Sequence, residues 1–158
     1  MRALKTHDKQ APQRIRPRLV IADDDAVVRS MLVAQLADEF ECVGQAVDAL
    51  EAIAVVAAQR PDVVILDVNM PGGGAARATR QIRDQSPHTA IVILSIDETW
   101  ADLIDLLNAG AMTYLRKGID QQALVHDLAA AIKAHRLRPS GSSVDLPTSS
   151  PAILARTE

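Results

Sequence analysis

Six polar residues of this chain stand directly behind short apolar runs: Asp23 and Asp24 after "RLVIA" (18–22), Asp67 and Asn69 at and after "VVIL" (63–66), Ser95 closing "AIVILS" (90–95), and Lys117 closing "AMTYLRK" (111–117). Each has an ordinary explanation when taken singly. Asp24 and Ser95 could be caps, Asp67 could brace the turn that begins at Met70-Pro71, and Lys117 could be solvated. Brought to one place, they have a different chemistry. Three close carboxylates repel, so one must stay protonated unless a cation is supplied. An all-oxygen set with few protein ligands suits Mg2+, which keeps several waters and binds through one or two carboxylates and a phosphate. The Lys117 amine and the Ser95 hydroxyl suit phosphoryl oxygens. Such a group would hold a phosphoryl group against Asp67.

The elements that must position these residues follow from hydrophobic period. "RLVIA" is a first strand, and "AVVRSMLVAQLADE" then places Val28, Met31, Leu32, Gln35 and Leu36 at helical spacing, with Asp24 or Asp25 as its cap. "ECVGQA" is a second strand. "DALEAIAVVAAQ" opens with Asp48 and Glu51 in a capping-box pattern, presents Leu50, Ile53, Ala54 and Ala57 as its apolar face, and stops before Pro61. The third strand runs into Asp67, and "AARATRQIRDQ" is a helix broken by Ser86 and Pro87. "AIVILS" shows no alternation, as for a strand buried on both faces. "DETWADLIDLLNAG" is a helix ended by Gly110, with Trp100, Leu103, Ile104 and Leu107 as its core stripe and Leu106 exposed beside it. "AMTYLRK" is a fifth strand. "DQQALVHDLAAAIKAHR" is a closing helix with Leu124, Val125, Leu128 and Ile132 on one face.

Strictly alternating strands and helices predict an α/β fold: a doubly wound, five-stranded parallel sheet with five helices, covered on both sides. In such a sheet every strand points its carboxyl end at one rim, and ligands bind outside that rim. Topology alone therefore delivers the six polar residues to a single edge.

Composition agrees with one globular domain. Among 158 residues, 48% are hydrophobic and 23% charged, and Trp, Tyr and Phe occur once each, so the core must be aliphatic. A net charge of -3 argues against nucleic-acid binding by the whole surface. Cys42, the only cysteine, excludes an internal disulfide and fits a reducing, cytoplasmic setting. No apolar run approaches the roughly 18 residues that a membrane span needs. Residues 1–17 are read as a flexible basic arm without a signal-peptide core, 18–136 as the folded domain, and 137–158 as a Ser/Pro-rich tail or truncated linker.

"IADDD", "LDVNMPG", "VILS" and "YLRKG" resemble, in order and spacing, the signature segments of response-regulator receiver domains of two-component systems, over about Arg18 to Arg136. The resemblance implies a flavodoxin-like fold and a phosphorelay switch rather than a conventional enzyme. It makes Asp67 the phospho-acceptor for a sensor histidine kinase or phosphotransfer protein, with intrinsic autophosphorylation and autodephosphorylation. It also makes Asp24 and Asp67 direct Mg2+ ligands, with Asp23 acting through water and Asn69 through its backbone carbonyl. Ser95 would follow the phosphoryl group, Lys117 would pair with it, and Tyr114 would be the aromatic switch. "DDDAVVR" and "LS" are closest to the branch that usually carries a helix-turn-helix output. Residues 137–158 are too few for such a module, which needs roughly 60 residues, so direct DNA binding is not expected of this chain.

Two features depart from that pattern. Ile96 stands where a small residue is usual, which predicts slowed phosphorylation or hydrolysis unless its side chain points aside. The triplet Gly72 to Gly74 predicts a looser rim. The face made by the fourth helix, fifth strand and fifth helix is the expected homodimer surface. The histidines His7, His88, His126 and His135 show no ligand spacing. Rival readings are a degenerate receiver serving as a scaffold, a small Mg-dependent phosphatase working through an aspartyl phosphate, and a flavodoxin-like mononucleotide binder whose phosphate the acidic rim would repel.

Overall fold

The computed structural model describes residues 15–96 and 99–138, apart from the side chain of Trp100. Most of the basic arm and of the Ser/Pro-rich tail, and the place of Trp100 in the core stripe, lie outside the described residues. Among the described residues, five strands alternate with five helices: β1 (Arg18–Ala22), α1 (Ala26–Leu36), β2 (Glu41–Ala46), α2 (Ala49–Gln59), β3 (Val63–Asp67), α3 (Gly74–Gln85), β4 (Ala90–Ser95), α4 (Trp100–Ala109), β5 (Thr113–Arg116) and α5 (Gln121–Arg136). All the strand pairs are parallel, in the order β2-β1-β3-β4-β5.

The central runs lack polar alternation because both faces of the sheet are covered. Val20, Ala22, Val64, Leu66, Ile91 and Ile93 point to a core closed by α2, α3 and α4. Leu19, Ile21, Val63, Ile65, Val92 and Leu94 point to the opposite core, closed by α1 and α5. Burying such aliphatic side chains contributes about 1.5–3 kcal/mol each, which makes these layers the main source of stability.

Helix starts follow their capping chemistry. Of the two acids at α1, Asp25 is the cap, accepting from the backbone N–H of Val27 at 2.8 Å. At α2 half of the expected capping box forms: Glu51 N–H donates to the Asp48 cap, while the Glu51 carboxylate accepts from Val47 N–H, one residue before the cap, both at 2.8 Å. Gly110 closes α4 at φ +119, a left-handed conformation that suits glycine. Gly72, Gly73 and Gly74 all have positive φ, and Ala49 N–H donates to Pro71 O at 2.9 Å, so this loop is docked on the start of α2.

Two apolar faces differ from expectation. On α2 the buried residues are Ala49, Ala52 and Val56, whereas Leu50, Ala54 and Ala57 face solvent. The helix lies so close to β2 that a Cβ at Gly44 would come within 2.5 Å of Val55, so Val55 packs over the glycine while Ala49, Ala52 and Val56 face the core. On α4, Leu106 is only 4% exposed, while Ile104 is 51% and Leu107 43% exposed. The stripe is rotated by about a third of a turn from the expected one, with Leu106 in the core shared with α3, Ala109 buried and Leu103 half-buried.

Candidate functional site at the carboxyl rim

Strand register assembles the site. Ala22 lies opposite Leu66 in the β1–β3 pair, so Asp23 and Asp67 emerge side by side. Asp67 lies opposite Leu94 in the β3–β4 pair, one residue before Ser95. Lys117, just past the end of β5, donates its backbone N–H to Ser95 O at 2.8 Å. Ligand atoms of Asp23, Asp24 and Asp67 all lie within 4.8 Å of one another, and among the described residues this is the one acid cluster with spacing for a metal. Asp23, Asp67 and Ser95 are buried, whereas Asp24 is exposed.

The Lys117 ammonium sits 2.6 Å from Asp23 Oδ2 and 2.9 Å from Asp67 Oδ1. Burial works against the charge of Lys117, but the hydrogen bonds to both carboxylates outweigh it and hold its pKa above the ordinary lysine value. Burial pushes the Asp67 carboxyl above the usual carboxylate range; the Lys117 hydrogen bond opposes this, and the neighbouring Asp23 charge adds to it. One ammonium is shared between two acids, and at Asp67 burial outweighs it. Asp67 is left short of positive charge.

Asp23 is held on every side. Its N–H donates to Ala46 O at 3.1 Å, its Oδ1 accepts from Asp25 N–H at 2.9 Å, and its carbonyl accepts from the Arg29 guanidinium at 2.8 Å. Arg29 was not singled out from the sequence. Its long side chain reaches back over one helical turn, and helical spacing carries no signal for such a reach.

The donor set fits a hard divalent cation. It is all oxygen, it is carboxylate-rich, and one member, Asp24, is open to solvent for delivery of a hydrated ion. Asn69 is exposed in the turn two residues beyond Asp67. Tyr114 is half-buried against the core under α2, α3 and α4. Ile96 follows Ser95 with 67% of its surface in solvent. His126 pairs with Asp127, His135 bonds Pro87 O at 2.8 Å, and neither they nor His88 join the acid cluster.

Residues 19–129 match the response regulator receiver domain family. The chain is similar to the oxygen regulatory protein NreC of Staphylococcus epidermidis, with 37% identity over 111 residues, covering 68% of this chain and 51% of that protein. It is similar to the transcriptional regulatory protein DegU of Brevibacillus brevis, with 34% identity over 110 residues, covering 68% and 47%. Thus the chain spans about half the length of the curated relatives it matches. Among solved structures, a two-component response regulator of the LuxR family from Aurantimonas sp. SI85-9A1 superposes with a TM-score of 0.71 at 29% identity, covering 76% of this chain and 87% of that one. A parallel sheet in this order, an acid cluster at its carboxyl rim and a match over most of the folded part lead to one conclusion: the chain belongs to the response regulator receiver domain family.

Proposed function

We propose that Asp67 is the phospho-acceptor of a phosphorylation-controlled switch, fed by a sensor histidine kinase or phosphotransfer protein. The observation that carries this reading is the Lys117 ammonium shared between Asp23 and Asp67, beside a third carboxylate within 4.8 Å. A buried carboxylate short of positive charge is a site prepared for something cationic to arrive with its substrate.

In the transfer step the P–N bond of a phosphohistidine breaks and a P–O bond to an Asp67 carboxylate oxygen forms, in line. With its other ring nitrogen protonated, the histidine takes the P–N electron pair and leaves neutral, and an acyl phosphate remains. Lys117 follows the charge onto the phosphoryl oxygens, and Ser95, one residue past the β4 partner of Asp67, offers its hydroxyl to the same oxygens. Asp24, Asp67 and the Asn69 carbonyl would hold Mg2+, with Asp23 behind a water; bound there, Mg2+ supplies charge neutralisation for acceptor and phosphoryl group. Water attack on the acyl phosphate then releases inorganic phosphate and restores Asp67. Movement of Ser95 toward the new oxygens favours an inward position of Tyr114, a population shift in a two-state element. The face that would read it includes α4, where Ile104 and Leu107 are exposed, and this is the proposed homodimer surface. Among the described residues no helix is long and apolar enough to cross a membrane.

The test is intact mass after incubation with Mg2+ and a small acyl or amido phosphate. Wild type should gain one phosphoryl group and Asp67→Asn none. No gain in wild type would favour the scaffold reading. Turnover of phosphomonoesters would favour the phosphatase reading.

A further inference from the structure

Resting on the reading of the acid rim as a Mg2+ site, we infer that Arg29 is a positioning residue that sets the affinity of the rim for the ion. The reason lies in how Asp24 is held. Asp24 is exposed, and among the described residues no partner fixes its carboxylate, so its direction is inherited from the backbone on either side. On the far side, Asp25 is secured twice: its N–H is held by Asp23 Oδ1, and its carboxylate caps α1. On the near side is the peptide that joins Asp23 to Asp24. A peptide unit is planar, so holding its oxygen fixes the attached nitrogen and the course of the chain into Asp24. The Arg29 guanidinium holds that oxygen at 2.8 Å. Arg29 itself is half-buried in the first turns of α1, anchored by its own N–H to Asp25 O at 3.1 Å.

Clamp and charge have opposite consequences here, which makes the inference decidable. As a charge, Arg29 repels a divalent cation, and removing it should tighten binding. As a clamp, it presents Asp24, and removing it should loosen binding. Partners that orient ligands in this way typically change metal affinity 10–100-fold. The expected result is a Kd for Mg2+ about tenfold higher in Arg29→Met. In Arg29→Lys, which keeps both charge and a donor long enough to reach, Kd should stay within about threefold of wild type. Arg29→Gln is too short to span to the Asp23 carbonyl and should behave like methionine, which guards against a folding defect peculiar to one variant.

The experiment is calorimetric titration of the full chain with MgCl2 in wild type, the three Arg29 variants and Asp67→Asn, with thermal melts alongside. Acyl-phosphate labelling should show the Mg2+ concentration for half-maximal rate moving in parallel with Kd, with little change in the rate at saturation. An Arg29→Met affinity equal to or tighter than wild type overturns the inference, whatever happens to the melting temperature. If wild type and Asp67→Asn bind Mg2+ equally, the reading of the rim itself fails, separately from Arg29.

Discussion

One ammonium between two buried carboxylates leaves a residual cost, and Asp67 bears it. Its folded pKa is raised, chiefly by burial, so the native state holds this proton more tightly than the unfolded chain does. The contribution of Asp67 to stability is therefore most favourable below the ordinary value of 3.8 and is lost as pH rises through the raised folded value. Asp67→Asn, measured without divalent ions, should melt above wild type at neutral pH, with the gap closing as pH falls toward 3.8. A gap that widens on acidification would mean that Lys117 over-compensates the acid. Added Mg2+ should reverse the order, because ligand binding stabilises only the protein that binds. The participants were legible in the sequence because each apolar run ends in a polar side chain. The sharing of Lys117 by Asp23 and Asp67 was not, since a flexible four-carbon stem can reach several partners and spacing does not choose among them.

Among the elements, strands and caps were read more reliably than helix faces. β4 (Ala90–Ser95) and α5 (Gln121–Arg136) lie where their residue patterns place them, because buried β-branched runs and an Asp cap each have one good solution. The faces of α2 and α4 did not. "ALEAIAVVAAQ" is apolar nearly all round, so its period does not single out a face, and the close approach of Val55 to Gly44 is a tertiary contact that spacing does not reveal. In α4, Leu103, Ile104, Leu106 and Leu107 satisfy helical spacing in two ways, and only the insertion of Leu106 between its neighbours selects one. This has a direct measure. Leu106→Ala should cost about 2–5 kcal/mol in urea denaturation, whereas Ile104→Ala should stay within about 0.5 kcal/mol. Equal costs would restore the stripe expected from the sequence.

At the scale of the whole molecule, the sheet has a second organised end, opposite the acids. Asp62, just before β3, accepts from Arg18 N–H at the start of β1 at 2.8 Å and from the Arg136 guanidinium at the end of α5 at 2.7 Å. Asp62→Ala should lower stability by about 1–3 kcal/mol, chiefly by stranding the part-buried Arg18 N–H. Arg136→Ala should cost less than about 1 kcal/mol, because that pair is exposed to solvent. Chemical denaturation of both variants would show whether the backbone bond or the ion pair matters more. The parallel topology was legible from alternation alone. This closure at the base was not, because it joins residues 74 positions apart through side chains with no periodic signal.

That base also reaches the last turn of α5. His135 bonds Pro87 O and Arg136 pairs with Asp62, so this turn touches two separate loops at the foot of the sheet. Both contacts face water, and each is weak by itself. Together they tie the closing helix to the segments that lead into β3 and β4, so a shift of either strand would be felt at the end of α5.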